Sequence, residues 1–208
     1  MTKKEKISFI LTELEKLYPK AICSLNYRNP FELLIATQLS AQCTDVRVNI
    51  VTKDLFKKYS SPWDFANTSL EQLQQDIKST GFYRNKAKNI VNCSKKLIEK
   101  YNGEVPSEME KLLELDGVGR KTANVVRGDA FNIPGIVVDT HVKRISNRLG
   151  LTKNQDPVKI EYDLMKIIPK IKWTLFSHQL VYYGREICAA RKPKCDRCSL
   201  SLVCNYIR

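Results

Sequence analysis

Long hydrophobic runs are missing from this 208-residue sequence. No stretch approaches the roughly 18 consecutive apolar residues that a membrane-spanning helix needs, so we expect no membrane partner. A secretory signal peptide is not apparent either, because Glu13 and Glu15 interrupt the apolar stretch that follows the basic residues 1–6. We therefore expect a cytoplasmic protein.

Histidines and strand patterns are also scarce. The only two histidines, His141 and His178, lie far in sequence from the cysteine-rich C-terminal region. Apolar residues recur at the three- and four-residue spacing of helices, and strict alternation is rare. The sequence predicts an all-α fold of about ten helices joined by short loops. Residues 81–83 are predicted to form a loop before a helix that resumes near Asn85, and Ser107 is predicted to cap a short helix.

Positive charge is in excess. The chain has 35 Lys and Arg against 22 Asp and Glu, a net charge of +13. Such an excess attracts polyanions, of which DNA and RNA are the usual ones. A generally lysine-rich proteome would produce the same balance, so charge alone does not decide the partner.

Four of the seven cysteines fall within residues 188–204, with spacings of six, two and five residues. Four thiolates can converge on one centre, and both tetrahedral zinc and a [4Fe–4S] cluster accept them. Zinc ribbons usually carry two Cys-x-x-Cys pairs, whereas only Cys195 and Cys198 form one here. The spacing therefore favours the cluster, in a structural role, with zinc as the alternative. Cys23, Cys43 and Cys93 are interpreted as small core or half-buried residues.

Residues 115–121, LDGVGRK, predict a tight turn that opens a helix. Backbone N–H groups in such a turn can bind a phosphate without reading a base. An ordinary glycine-rich turn would explain the glycines alone, but Arg120 and Lys121 directly after them favour contact with a DNA backbone.

Two further residues are candidates for chemistry. Lys121 lies in the first turn of its helix, where the helix dipole and Arg120 both disfavour a positive charge and favour the neutral, nucleophilic amine. A solvent-facing lysine that contacts phosphate is the alternative. Asp139 follows an apolar triplet and is most simply a helix N-cap, a role compatible with a carboxylate held in one position for catalysis.

Five motifs together resemble endonuclease III, a DNA-repair family. They are LSAQCTD at 39–45, GFYR at 81–84, LxGVGRKTA at 115–123, VDTH at 138–141, and the cysteine spacing. They occur in one order over nearly the whole chain, and their combination is highly specific. Two departures are Asp116, where the family commonly has proline, and Phe82, where it often has an aliphatic residue.

The resemblance implies two α-helical lobes with a DNA cleft between them. One lobe is a six-helix barrel at about 22–133, which contains the helix-hairpin-helix motif. The other joins 1–21 to 134–208 and holds a [4Fe–4S] cluster on Cys188, Cys195, Cys198 and Cys204. The implied partner is double-stranded DNA that contains damaged bases or abasic sites, bound by a monomer that is associated with the nucleoid if the source is bacterial.

The resemblance also implies an enzyme that removes oxidised pyrimidines and cuts the abasic site by β-elimination through a Schiff base. Lys121 would attack the sugar carbon C1′ while Asp139 assists. Gln42 would fill the space left by the flipped nucleotide, and Phe82 would wedge into the stack beside it. Contacts with DNA are expected at Gln42, Phe82, Arg84, Gly117, Val118, Gly119, Arg120, His141, Arg191, Lys192 and Lys194.

Two other functions remain open at this point. A monofunctional, adenine-removing glycosylase would lack the lysine nucleophile. A non-catalytic iron–sulfur DNA-binding protein would keep the basic turn and the cysteines but would not need Lys121 and Asp139 together.

The metal content gives a first testable prediction. Protein prepared anaerobically should be brown and contain about four iron atoms per chain, because the four-thiolate spacing favours a cluster. Elemental analysis and a visible absorption spectrum measure this. Stoichiometric zinc without iron would contradict the cluster and support the tetrahedral alternative.

Overall fold

The structure, a computed structural model, describes residues 1–207, and no strand occurs among them. The all-α prediction is confirmed. No helix within these residues is long and apolar enough to cross a membrane.

Eleven α-helices run through the described residues: α1 (Lys3–Leu17), α2 (Pro30–Leu39), α3 (Asp45–Lys58), α4 (Pro62–Asn67), α5 (Leu70–Asp76), α6 (Tyr83–Tyr101), α7 (Met109–Leu113), α8 (Arg120–Ala130), α9 (Thr140–Arg148), α10 (Pro157–Met165) and α11 (Trp173–Glu186). Short 3-10 helices lie at Lys78–Thr80, Lys170–Lys172, Cys195–Arg197 and Ser201–Val203.

Polar side chains fix where most of these helices begin. At α2, Asn29 accepts a hydrogen bond from the amide of Glu32 at 2.9 Å, and Pro30 follows as the first helical residue. At α10, Asp156 does the same for the amide of Lys159, again followed by proline. Because these signals are local, the sequence predicts such helix starts well.

One helix and two helix starts differ from the sequence prediction. Helix α4 was not predicted, because six residues are too few to show a period; its signal is the capping box that Ser61 makes with Asp64. Helix α6 begins at Tyr83 rather than near Asn85, because Phe82 takes a left-handed conformation and acts as the N-cap. The N-cap of α7 is Glu108, with no capping side chain, so the predicted Ser107 cap is wrong.

The chain divides into two compact units. The central unit spans Cys23–Ile133, and the terminal unit joins Met1–Ile22 to the chain from Pro134 onward. Helices α2 to α8 belong to the central unit, and α1 and α9 to α11 belong to the terminal unit.

Helix α2 is the core helix of the central unit. Residues 31–39 are all buried, so the helix has no solvent face and packs against α3, α6 and α8. A helix that is apolar on every side is stable only inside a protein. Its one buried carboxylate, Glu32, pairs with the guanidinium of Arg28 at 2.5 Å. Burial of α2 therefore sets the positions of the three helices around it.

The terminal unit is built around α11. This helix packs against α1 and α9, and Phe176, Leu180 and Tyr183 are fully buried in the shared core. Helix α11 ends at Glu186, and Ile187 leads directly to Cys188. The last turn of the helix therefore anchors the first of the four clustered cysteines.

Candidate functional site

The turn between α7 and α8 is closed by backbone geometry. The amide of Val118 donates to the carbonyl of Leu115 at 3.1 Å, and Gly117 has a φ of +74°. Helix α8 starts after Gly119, and no side chain caps its N-terminus. An anion can therefore take the place that a capping side chain occupies at other helices.

The two glycines of this turn are required for different reasons. A Cβ on Gly117 would lie 2.9 Å from both Gln38 Oε1 and Asn89 Cβ, and its positive φ already favours glycine. Gly119 has an extended backbone with a φ of −96°, and a Cβ there would meet no atom within 4 Å. Folding therefore explains Gly117, whereas the open space at Gly119 leaves room for a ligand to approach the backbone.

Asp116, the acid beside this turn, is paired within the fold. Its Oδ2 atom lies 2.9 Å from Nζ of Lys96, which belongs to α6. Both side chains are about one-third exposed, so this ion pair is partly screened by solvent. The neighbouring lysine compensates the negative charge that Asp116 brings to the turn.

Lys121 is the second residue of α8, and its side chain is exposed. The thiol of Cys23 lies within its electrostatic reach. Burial raises the pKa of this thiol to about 12, Asp129 acts in the same direction, and the Lys121 ammonium opposes them. The sequence predicted Cys23 to be a core or half-buried residue, and it is partly buried, but the sequence did not connect it with Lys121.

Gln42, Phe82 and Gly117 line one pocket of about 140 Å³ in the central unit. Gln42 and Phe82 both have left-handed backbones, with φ values of 54° and 48°. Such a conformation costs a non-glycine residue about 1–3 kcal/mol and is concentrated at functional sites. The Phe82 side chain is nevertheless 64% exposed, so the strain is not offset by its own burial.

The same pocket contains residues that sequence reasoning missed. Gln38, Ala41, Asn85, Lys86 and Asn89 complete its lining. The Gln38 amide lies close to the buried thiol of Cys93, but neither of its polar atoms makes a hydrogen bond of ordinary geometry within the described residues. A polar residue inside the apolar run of α2 was the available signal.

Asp139 is the N-cap of α9, as predicted. Its Oδ1 atom accepts a hydrogen bond from the amide of Val142 at 2.8 Å. His141 follows in the first turn and is half-buried, with Nδ1 3.1 Å from Nη2 of Arg144. Burial lowers the pKa of His141, Arg144 acts in the same direction, and Asp139 opposes them. The cap holds the Asp139 carboxylate in one orientation.

The four clustered cysteines are all free thiols and line one small pocket of the terminal unit, together with Arg148 and Tyr206. Burial raises the pKa of Cys195, and the other three clustered thiols add to this effect because they lie nearby. Within residues 1–207, no three His, Cys, Asp or Glu side chains form a group that could hold a single metal ion.

Hydrogen-bond donors surround these thiols. Nη1 of Arg148 lies 3.2 Å from Sγ of Cys188, and the hydroxyl of Tyr183 lies 2.9 Å from Sγ of Cys198. Arg148 also donates to the carbonyls of Ala189 and Ala190 and stacks on Tyr206, with 4.1 Å to the ring centroid. A cation and a hydroxyl beside sulfur stabilise thiolates, so these residues fit a thiolate-bound metal centre.

The remaining basic candidates are located at the surface. Arg191, Lys192 and Lys194 are exposed in the loop between the first two clustered cysteines. Arg84 is exposed at the start of α6 with its guanidinium 5.0 Å from the Tyr83 ring centroid.

The two candidate catalytic residues belong to different units of the chain: Lys121 lies in the central unit and Asp139 in the terminal unit.

Comparison with known proteins gives consistent matches. Residues 35–170 match the family profile of the HhH-GPD superfamily base excision DNA repair proteins. The chain is 54% identical to endonuclease III of Synechocystis sp., covering 98% of this chain and 93% of that protein. It is 51% identical to endonuclease III of Bacillus subtilis, covering 96% and 92%. A solved complex of a trapped endonuclease III–DNA covalent intermediate with an estranged adenine superposes with a TM-score of 0.95, at 51% identity over 99% of this chain and 97% of that one.

The open space at Gly119 gives a second prediction. Gly119→Val should weaken DNA binding about tenfold or more for every sequence alike, because the side chain blocks a charge-assisted bond from the backbone to phosphate. Thermal stability should fall by no more than about 1 kcal/mol, since a Cβ here meets no atom within 4 Å and the loss comes from valine being a poorer N-cap than glycine. Binding isotherms over a salt series and a melting curve measure both.

Arg120→Ala is the matched control, because it removes a charge and leaves the backbone amides accessible. If the wild type neutralises about five phosphates, a plot of log binding constant against log salt concentration should have a slope near −4 to −5. Arg120→Ala should reduce the magnitude of this slope by about one, and Gly119→Val should leave it unchanged. Wild-type binding with no salt dependence would show that the basic excess has another purpose.

Proposed function

The chain belongs to the HhH-GPD superfamily of base excision DNA repair proteins and, within it, to the endonuclease III family, and on this basis we propose how its residues act on damaged DNA. The protein is a DNA glycosylase and abasic-site lyase, and its partner is DNA. We propose oxidised pyrimidines as its substrates and a monomer as the active form. The observation that carries the mechanism is a lysine in the first turn of α8, in a fold that matches endonuclease III trapped on DNA.

Binding precedes chemistry, because a base inside a duplex is out of reach until it is flipped into a pocket. The open N-terminus of α8 at Gly119 supports a role in holding a phosphate, with Arg120 and the exposed Arg191, Lys192 and Lys194 adding positive charge. These contacts do not depend on base identity, so they bring the enzyme to any duplex.

The pocket of Gln42 and Phe82 supports recognition of the site where a nucleotide has left the stack. Both side chains are exposed although their backbones are strained, which favours a role outside the protein's own core. Gln42 would fill the gap with a polar amide, and Phe82 would wedge beside it with an aromatic ring, which stacks on any base. A phenylalanine wedge is larger than an aliphatic one and could change the preference for the opposite base.

Base removal follows from nucleophilic attack. The neutral Lys121 amine adds to the sugar carbon C1′ as the base leaves with the bonding electron pair. The lysine nitrogen then gives up one proton, and the departing base takes up one, so the step balances. Positive charge develops on the sugar as the glycosidic bond lengthens, and the carboxylate of Asp139 would stabilise this charge. Because the Val142 amide holds the carboxylate, little reorganisation is needed during the reaction.

Strand cleavage uses the same covalent bond. Opening of the sugar ring breaks the C1′–O4′ bond and leaves an imine between C1′ and the Lys121 nitrogen. The imine makes a C2′ proton acidic, and its removal expels the 3′ phosphate by β-elimination. Water then hydrolyses the imine and returns the lysine amine.

We propose that the four clustered cysteines hold a [4Fe–4S] cluster. Four free thiols on one pocket, with Arg148 donating to Cys188 and the Tyr183 hydroxyl in hydrogen-bond contact with Cys198, support this assignment. When bound, the cluster would supply a structural cross-link for residues 188–204 and no reacting group. Arg191, Lys192 and Lys194 lie inside this segment, so the cluster would also shape the loop that presents their charges.

The nucleophile gives a third prediction. Lys121→Ala should abolish borohydride trapping on DNA with an abasic site, because no other group forms the imine at that position. Binding to the same DNA should remain within about threefold of wild type, since the hairpin and the wedge are intact. Trapping on a denaturing gel and a binding isotherm measure the two effects.

Lys121→Arg should not restore trapping, because a guanidinium stays protonated and does not form an imine. Lys95→Ala is the matched control, since it removes an exposed lysine from α6 and should trap normally. Wild-type trapping by Lys121→Ala would show that the N-terminal amine or another lysine is the nucleophile.

The carboxylate gives a fourth prediction. Asp139→Asn keeps an oxygen for the α9 cap but removes the charge, so base excision should slow by roughly 10² or more, as on losing one preorganised stabilising group. Cleavage at a pre-formed abasic site should slow less, because no glycosidic bond remains to be broken. Single-turnover assays on the two substrates measure the difference.

Asp156→Asn is the matched control, because Asp156 caps α10 with the same geometry. It should lose the same small amount of stability and keep full excision. Full turnover in Asp139→Asn would leave the helix cap as the only role of Asp139.

A further inference from the structure

Lys86 is a buried cation to which none of the preceding roles applies. It is 6% exposed and lies on α6, four residues after Phe82. Its Nζ atom donates to the carbonyl of Leu39 at 2.7 Å and to the carbonyl of Thr80 at 2.9 Å. Burial lowers the pKa of Lys86. A buried ammonium needs such partners, because it has lost its water.

Both acceptors lie at helix C-termini. Leu39 is the last residue of α2, and Thr80 is the last residue of the 3-10 helix Lys78–Thr80. Carbonyls at such positions lack a helical partner, and that of Leu39 also lies at the negative end of the α2 dipole. The Lys86 side chain therefore satisfies two helix ends at once.

Each of these helix ends leads to Gln42 or Phe82, which are two of the five non-glycine residues with a positive φ among the described residues. Gln42 comes three residues after Leu39, and Phe82 comes two residues after Thr80. The backbone amide of Lys86 also donates to the carbonyl of Phe82 at 3.1 Å. Both the backbone and the side chain of Lys86 therefore bond to the segment that carries Phe82. The side chain alone also bonds to the end of α2, which leads to Gln42.

We propose that Lys86 is a positioning residue that holds Gln42 and Phe82 at the spacing at which they enter the DNA stack together. This inference rests on the proposed function, because it needs both side chains to act inside the duplex. Without the ammonium, the two segments lose their common anchor and can move independently. Recognition of a gap in the stack then suffers, while phosphate contacts at the hairpin persist.

The test compares Lys86→Met with wild type. Methionine keeps the length and burial of the side chain but removes the donor. The affinity for a duplex with a tetrahydrofuran abasic-site analogue, divided by that for the intact duplex, should fall about tenfold or more, because two charge-assisted bonds are lost. The affinity for the intact duplex should change by less than about threefold. An unchanged ratio overturns the inference.

Lys95→Met is the matched control, since it removes the same charge from an exposed position on α6. It should lower both affinities by one common factor and leave their ratio unchanged. A ratio that falls equally in Lys95→Met and Lys86→Met would show that net charge, not the position of the ammonium, is responsible, and this would overturn the inference.

A double-mutant cycle separates positioning from a general structural role. In a background with both Gln42→Ala and Phe82→Ala, adding Lys86→Met should change the ratio by less than about twofold, because nothing remains to be positioned. A Lys86→Met effect as large in this background as in wild type would mean that Lys86 acts through stability of the fold, and the inference would be wrong.

The same variants separate this inference from the proposed function. If Gln42→Ala with Phe82→Ala keeps the wild-type ratio, the proposed roles of those side chains fail, and the inference fails with them. If that pair lowers the ratio and Lys86→Met does not, only the inference fails. Should Lys86→Met not fold, Lys86→Gln, which can still donate to one carbonyl, should show a smaller loss in the same direction, and no loss would overturn the inference.

Discussion

Burial of α2 is the constraint on which the central unit depends. A helix that is buried over residues 31–39 must be covered on every side, and α3, α6 and α8 provide that cover. Three helices of this core, α2, α6 and α8, each have a candidate functional residue in or beside them. The chain after α2 carries Gln42, α6 begins beside Phe82, and α8 presents Lys121 in its first turn. The core therefore explains why residues far apart in sequence belong to one small unit.

Several residues in this protein combine a structural role with a proposed chemical one. Asp139 caps α9, and the hydrogen bond that makes it a cap also fixes the carboxylate proposed to stabilise charge on the sugar. Arg148 donates hydrogen bonds to the carbonyls of Ala189 and Ala190 and also to the sulfur of Cys188. For such residues, the effect of a substitution on activity can be assigned to chemistry only if a variant of a matched helix cap or an equivalent cation lacks that effect.

Strain and open space mark the surface that we propose contacts DNA. Gln42 and Phe82 adopt left-handed backbones without burying their own side chains, and Gly119 is a glycine where a larger residue would fit. Folding alone explains none of the three. By contrast, Gly117 and Asp116 are accounted for inside the fold, by the nearby Gln38 and by the ion pair with Lys96.

The sequence alone determined the helical class, most helix starts and the identity of the chemical groups. Periodicity, capping residues such as Asn29 and Asp139, and the motif around Lys121 depend on neighbours within a few positions, so they can be recognised without a structure. The start of α6 was misplaced because no local pattern predicts a left-handed conformation for Phe82. Only the tertiary structure brought Gln42, Phe82 and Gly117 to one pocket and placed the Lys86 ammonium between two helix ends. The physical reason is that these arrangements join segments far apart in sequence, such as Leu39 and Lys86 with a separation of 47 residues, and such contacts exist only once the core around α2 has packed.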